Sequence, residues 1–284
     1  MLESEEKWDL EIEPASGLFD INWKEIWQYR DLILLFVRRD IVSTYKQTIL
    51  GPIWFFVQPI LTTITFVVIF GNIAEISTSG VPKILFYLSG ITLWNYFQEC
   101  LMKTSETFIS NQNLFGKVYF PRLASPISIV ISNLFKFGIQ FGLFLAIWLF
   151  FLIKPESQIT PNKTILLLPF YILLMSGLGF SSGVLISSLT TKYRDLRFLI
   201  QFGVQLMMYA TPIVYPLAIA PEKYKWLLLL NPITAVVEAF KYSFLGQGHF
   251  SIYSLGYSLI VMIITLFLSI LVFNKVEKSF MDTV

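Results

Sequence analysis

The sequence predicts an all-α polytopic membrane protein with six transmembrane helices, an N-terminal amphipathic interface helix, and a re-entrant hairpin between the fifth and sixth spans. Three observations carry this. Of the 284 residues, 55% are hydrophobic and 14% charged, with a mean hydropathy of +0.65, whereas soluble domains hold roughly 25% charged residues. Seven apolar stretches, near 52–74, 84–102, 124–153, 165–190, 198–220, 226–246 and 254–274, approach the ~20 residues that cross a ~30 Å hydrocarbon core. Lysine and arginine, finally, collect in alternate connections, as they do on the cytoplasmic side of membrane proteins.

With the N-terminus cytoplasmic, the connections before 52, at 103–123, at 191–197 and after 274 hold fourteen of the 21 basic residues. The opposite face receives six, and Lys136 lies within a span. This bias requires an even number of crossings and two cytoplasmic termini, so one of the seven stretches must not cross. That stretch is 226–246, WLLLLNPITAVVEAFKYSFLG. It is interrupted by Asn231-Pro232 and carries Glu238 and Lys241 three residues apart on one helical face, placed to pair with each other. Such a segment is costly in lipid and tolerable when packed against protein. The sequence before it, YATPIVYPLAIAP, is punctuated by Pro212, Pro216 and Pro221. The expected spans lie near 52–74, 84–102, 124–153, 165–190, 198–214 and 254–274, with the hairpin over 215–247 entering from the outer face. Pro212, Pro216, Asn231, Pro232, Glu238 and Lys241 would shape it as an outer gate.

Residues 1–21 form an acidic stretch, with seven acids and one lysine in the first twenty. Lacking a basic start and an apolar run, they read as a solvated cytoplasmic tail rather than a secretory signal. Over 22–51, Trp23, Ile26, Trp27, Ile33, Leu34, Val37, Ile41 and Tyr45 recur at helical spacing. Lys24, Arg30, Arg38, Arg39 and Lys46 stand between them. Tryptophan and basic side chains around an apolar stripe suit the headgroup region; the alternative is a helix packed on the protein's own cytoplasmic surface. Gly51-Pro52 breaks this helix before the first span. Residues 275–284 form a cytoplasmic C-terminus.

No enzyme chemistry is legible. One cysteine, Cys100, and one histidine, His249, supply neither a disulfide nor a metal cluster. There is no G-x-x-x-x-G-K-[ST] phosphate loop, no G-x-S-x-G elbow and no paired-aspartate motif. Glu99, Glu106 and Glu238 are too scattered for an acid/base pair. A chain that crosses the membrane six times without an active site conducts something.

Five segments in order, RRDIVSTYKQTILGPIWFFVQP (38–59), NLFGKVYFPRLASP (113–126), YRDLRFL (193–199), YATPIVYP (209–216) and LNPITAVVEAFKY (230–242), resemble permease subunits of ABC-2 type exporters of cell-surface polysaccharides. Those transporters carry O-antigen, capsule or teichoic acid. The resemblance runs from Trp23 onward and implies that 111–122 is a coupling helix. Leu114, Phe115, Val118 and Phe120 would enter a groove on a separate ABC ATPase subunit, beside Asn113, while Lys117 and Arg122 pair with acids around it. Pro121 ends the element. Gly116, where a bulkier residue is expected, implies a shorter or kinked helix; the alternative is a loop folded on the protein's own spans. TKYRDLR (191–197) would be a lesser contact with the same subunit.

The resemblance further implies two permeases working with two ATPases, with ATP and Mg bound by the partner and no cofactor on this chain. The substrate would be a lipid-linked glycan, the setting the bacterial cytoplasmic (inner) membrane with its lipids, and no nucleic acid is involved. The 22–51 helix would frame the cytoplasmic entrance. Aromatic faces let sugar rings slide, so Trp54, Phe55, Phe56, Tyr87, Trp94, Tyr96, Phe97 and Tyr209 are conduit candidates, set against the lipid-facing belts that most membrane aromatics form. Lys136, well inside the third span, costs ~2.5–3.5 kcal/mol unless partnered or hydrated. It either lines the conduit or snorkels toward headgroups. The rival readings are an ABC-2 permease for a drug or small lipid, and an ion-coupled carrier. The latter wants coupling-ion residues at midplane and internal repeats, neither of which the sequence offers.

Overall fold

The computed structural model describes residues 23–46, 51–154, 159–190 and 195–283, with the side chains of Trp23, Thr44, Tyr45 and 277–283 left aside. The acidic stretch 1–21 and positions 191–194 lie outside the described residues. Among the described residues every regular element is helical. Two helices, α1 (Trp23–Gln28) and α2 (Arg30–Lys46), precede a 3-10 turn at Gly51–Ile53. Gly51 there adopts φ +52°, left-handed backbone that glycine enters freely, so the break expected at Gly51-Pro52 is where the first long helix begins. That helix, α3 (Trp54–Phe66), runs on as π turns through Ile73.

After it come α4 (Lys83–Ser105), the short turns α5 (Thr107–Ser110) and α6 (Gln112–Phe115), and α7 (Ala124–Ile153). The rest comprises α8 (Leu168–Thr190), α9 (Leu196–Tyr209), α10 (Glu222–Leu230), α11 (Pro232–Leu245) and α12 (Ile252–Thr283). Among the described residues, four helical stretches are long and apolar enough to cross a membrane: 51–73, 124–153, 163–190 and 252–276. The count is five if α10 and α11, bent by 100° at Asn231, are taken as one broken span.

The expected second and fifth spans do not meet that standard, for different reasons. Helix α4 has 23 residues, but Asn95, Gln98, Glu99 and Lys103 on its second half lower its apolarity. It tolerates them because it is the centre of the bundle, packed by α3, α7, α8 and α11, with Leu85, Tyr87, Ile91, Leu93 and Cys100 fully buried. Helix α9 has 14 residues, about 21 Å at 1.5 Å per residue, and its chain turns irregular at Ala210 before Pro212.

Among the described residues α4 and α8 make the most extensive helix–helix contact, and at its glycines the backbones meet closely. A β-carbon on Gly179 would stand 2.9 Å from the Phe97 carbonyl oxygen; one on Gly183 would stand 2.6 Å from that of Leu101 and run into the Thr104 hydroxyl. Gly179 and Gly183 are four apart, the small-xxx-small spacing that lets membrane helices touch backbone to backbone. The motif is legible in the sequence as GFSSG at 179–183.

Candidate transport elements

The segment 111–122 is anchored rather than offered. Asn111, buried, donates from Nδ2 to the Thr107 carbonyl and the Ser125 hydroxyl at 3.0 Å each. Gln112–Phe115 makes one helical turn, which ends at Gly116, the short element its small residue implied. Phe115 and Phe120, expected to enter a partner's groove, are 3% and 5% exposed. They pack on each other at 5.6 Å between ring centroids, and Phe120 meets Phe36 of α2 edge-on at the same distance. Phe108 joins Phe115 to Phe273 near the end of α12, at 6.0 and 4.7 Å. Arg122 also turns inward, its guanidinium 5.7 Å from the Phe115 ring centre.

This corrects the expectation that Phe115 and Phe120 enter a partner's groove: both are an inward anchor, because burying two phenylalanines stabilises by about 1.5–3 kcal/mol each. Asn113, Lys117, Val118 and Tyr119 stay exposed, with Leu114 partly covered. Tyr119 also donates its hydroxyl to Glu25 of α1 at 3.2 Å. The segment therefore shows a small exposed tip on a rigid aromatic base shared with α2 and α12.

Helices α1 and α2 have two faces. Ile33 and Phe36 are buried in that base, while Trp27, Leu34 and Leu35 are 59–70% exposed. Arg30 lies 5.8 Å from the Trp27 ring centre, and Arg39, paired to Asp40 at 2.8 Å, lies over Phe36. Arg38 and Lys46 are exposed; the side chain of Trp23 is outside the described residues. Packing on the protein and an exposed apolar face thus coexist, since a helix has room for both.

Arg197, foreseen as a lesser contact with the partner, instead holds Glu106 at 2.7 Å. Glu106 ends α4 beside the 111–122 segment and Arg197 opens α9, a helix that touches the rest of the chain sparingly. The pair ties α9 to the segment. Reversing one charge alone (Glu106→Arg) is expected to lower stability by about 0.5–1 kcal/mol, and the swap Glu106→Arg/Arg197→Glu to restore it; thermal midpoints of the purified proteins read both.

Of the conduit candidates, Tyr87, Trp94 and Tyr96 are 0–4% exposed. They belong to the core of the chain itself, because α4 is packed by α3, α7, α8 and α11. Phe55 is 6% exposed and sits under the Lys136 ammonium, 5.4 Å from its ring centre. Trp54 and Tyr209 keep 48% and 47% exposure and remain on the surface of α3 and α9. Lys136 does not stand alone: it pairs with Glu99 across α4 and α7, beside Lys103, which reaches Glu99 at 3.5 Å and Asn133 Oδ1 at 3.1 Å. Asn95 adds a bond to Gln140 at 3.3 Å. Sequence reading missed this partnership because the two residues are 37 positions apart and meet only through helix packing.

At the opposite end of the bundle, Asn231 builds the hairpin's bend. Its side chain accepts from the Ile233 N–H at 3.1 Å and donates to Thr211 at 2.9 Å, an N-cap followed by Pro232 at the first helical position. Ser258 of α12 donates to the Pro232 carbonyl at 2.6 Å. Phe240 and Phe244 stack into Phe141 and Phe144 of α7. Glu238 and Lys241 do not bond to each other as expected. Lys241 donates to the Pro212 carbonyl at 2.6 Å, and Glu238 accepts the His249 backbone N–H at 3.1 Å. The reason is the chain after α11, which folds back over Glu238 through two left-handed glycines, Gly246 at φ +73° and Gly248 at φ +123°. Pro212 and Pro216 are both buried.

The ABC-2 type transporter family profile matches residues 31–245. An O-antigen export system permease protein RfbA of Klebsiella pneumoniae is 25% identical over 254 residues, covering 89% of this chain and 94% of that protein. One of the same name from Myxococcus xanthus is 26% identical over 220 residues, covering 77% and 82%. With several membrane-length apolar helices and a family match over most of its length, the chain is an integral membrane protein that belongs to the ABC-2 type transporter family.

Proposed function

We propose that this chain is the permease half of an ATP-driven exporter moving a lipid-linked polysaccharide, of O-antigen, capsule or teichoic-acid type, across the bacterial cytoplasmic membrane. The observation that carries it is the near full-length alignment with permeases named for O-antigen export. In this reading α3, α4, α7, α8, α9 and α12 are the six crossings, α10–α11 is the re-entrant gate, and both termini are cytoplasmic. The α1–α2 unit rests at the headgroups with Trp27 in the lipid interface, and the protein has no catalytic centre of its own. ATP and Mg bind on a separate ATPase subunit, which meets the exposed tip at Asn113, Lys117 and Val118. A second copy covers α9 and the exposed side of α3, where Trp54 and Tyr209 are left to line a shared conduit.

Affinity purification of the tagged protein from a strain expressing its neighbours tests this. An ATPase subunit is expected at one-to-one, and Lys117→Glu/Val118→Asp is expected to weaken its recovery at least tenfold, about 1.4 kcal/mol, leaving the buried Phe115 base intact. Repeated recovery of this chain alone, folded, would overturn the exporter reading.

A further inference from the structure

The ionisable groups of the hairpin line a cavity of ≈ 260 Å³ together with Phe86, Lys225, Gln247 and His249. Phe86 lies near the start of α4, so the cavity sits at the end of the bundle opposite the coupling segment, which follows the end of α4. Glu238 and Lys241 are 3% and 1% exposed. Glu238 Oε2 takes the His249 N–H, while Oε1 is buried without a hydrogen bond of ordinary geometry; the Leu217 backbone amide stands beside the carboxylate but does not close that gap. Lys241 spends one N–H on the Pro212 carbonyl and sets its ammonium 3.6 Å from the Phe86 ring centre. An ammonium has three donors. A buried carboxylate oxygen without a partner costs about 1–3 kcal/mol or more, so such groups usually mark a place where something else supplies the bond.

The chemistry of the wall narrows what that is. A cation would meet the ammonium of Lys241 with that of Lys225 nearby, and an anion would meet the Glu238 carboxylate. A neutral ligand that donates to one and accepts from the other on adjacent atoms satisfies both, and neighbouring hydroxyls on one ring do this. The volume is below the ~300–1,000 Å³ of drug-sized sites and suits a single ring. We propose that this cavity is a binding site for one sugar unit, engaged where a glycan leaves the exporter. The source of the sugar rests on the polysaccharide-export reading; the binding chemistry does not.

Saturation-transfer NMR on the purified full-length protein, with D-mannose, D-galactose, D-glucose and L-rhamnose as probes, tests the site directly. Transfer to at least one of them is expected, and to cyclohexanol, a ring with one hydroxyl, none. Lys241→Met is expected to weaken the signal at least tenfold. Ala218→Trp, an exposed lining position whose new indole fills the mouth without removing a buried polar group, should do the same in a protein of unchanged thermal midpoint. If none of the four sugars receives saturation, or if transfer survives both substitutions, the cavity holds water only and the proposal is overturned. An ATPase partner recovered with no sugar bound sinks the site and leaves the exporter. Sugar bound at this cavity by a chain that recruits no ATPase keeps the site and sinks the exporter.

Discussion

Gly183→Val is expected to abolish recovery of folded protein. The β-carbon alone would lie 2.6 Å from the Leu101 carbonyl oxygen, and what it meets is backbone, which cannot rotate away. Helices α4 and α8 would have to separate, opening the contact around which α3, α7, α11 and α12 are arranged. Overpacking usually costs about 1–3 kcal/mol; with a rigid partner the expected cost exceeds that range, more than a hundredfold in the folded fraction. Gly142→Val is the control, since a β-carbon there meets nothing within 4 Å. The measurement is the yield of monodisperse protein in mild detergent with its thermal midpoint. Equal yields from the two variants would show that the α4–α8 contact can relax and that its glycines are not required.

The second large effect concerns the pair between α4 and α7. Lys136→Met leaves the Glu99 carboxylate between two helices with only Lys103, at 3.5 Å, to answer it. Removing one member of a buried pair costs about 3–5 kcal/mol. Side-chain exposures of 18% for Lys136 and 22% for Glu99, with Lys103 still present, place the expectation nearer 2–3 kcal/mol. The double variant Glu99→Gln/Lys136→Met removes both charges and is expected to recover most of the loss, because a neutral pair leaves no stranded ion. Thermal midpoints of the three proteins read this. A neutral single variant, or a double variant no better than the single, would show that Lys136 is not held for Glu99. A double variant that is stable yet fails to transport would return Lys136 to the conduit.

The hairpin shows how far sequence reaches. Asn231-Pro232 and the charges at 238 and 241 were enough to mark 226–246 as an interrupted element, and the 100° bend lies at Asn231. Where the two charges point was not legible. Spacing of three on a helix puts them on one face and favours a mutual pair, but the loop after α11 brings the His249 amide to Glu238, and the irregular segment after α9 brings the Pro212 carbonyl to Lys241. The same holds for the 111–122 segment. Its place between two apolar stretches was visible; that Phe115 and Phe120 turn inward depends on Phe36 and Phe108, which come from elsewhere in the chain.

What the sequence alone determined about this protein is its solvent and its kinship. Apolar runs of membrane length are a local property, summed residue by residue against water, and five motifs in order need no folding to be read. The tertiary structure decided which faces are free. Burial of Tyr87, Trp94 and Tyr96, the Glu99–Lys136 pair, the Glu106–Arg197 tie and the cavity beside Glu238 all arise where helices far apart in the chain meet. A side chain's periodicity says on which side of its own helix it lies, and only packing says what stands on that side.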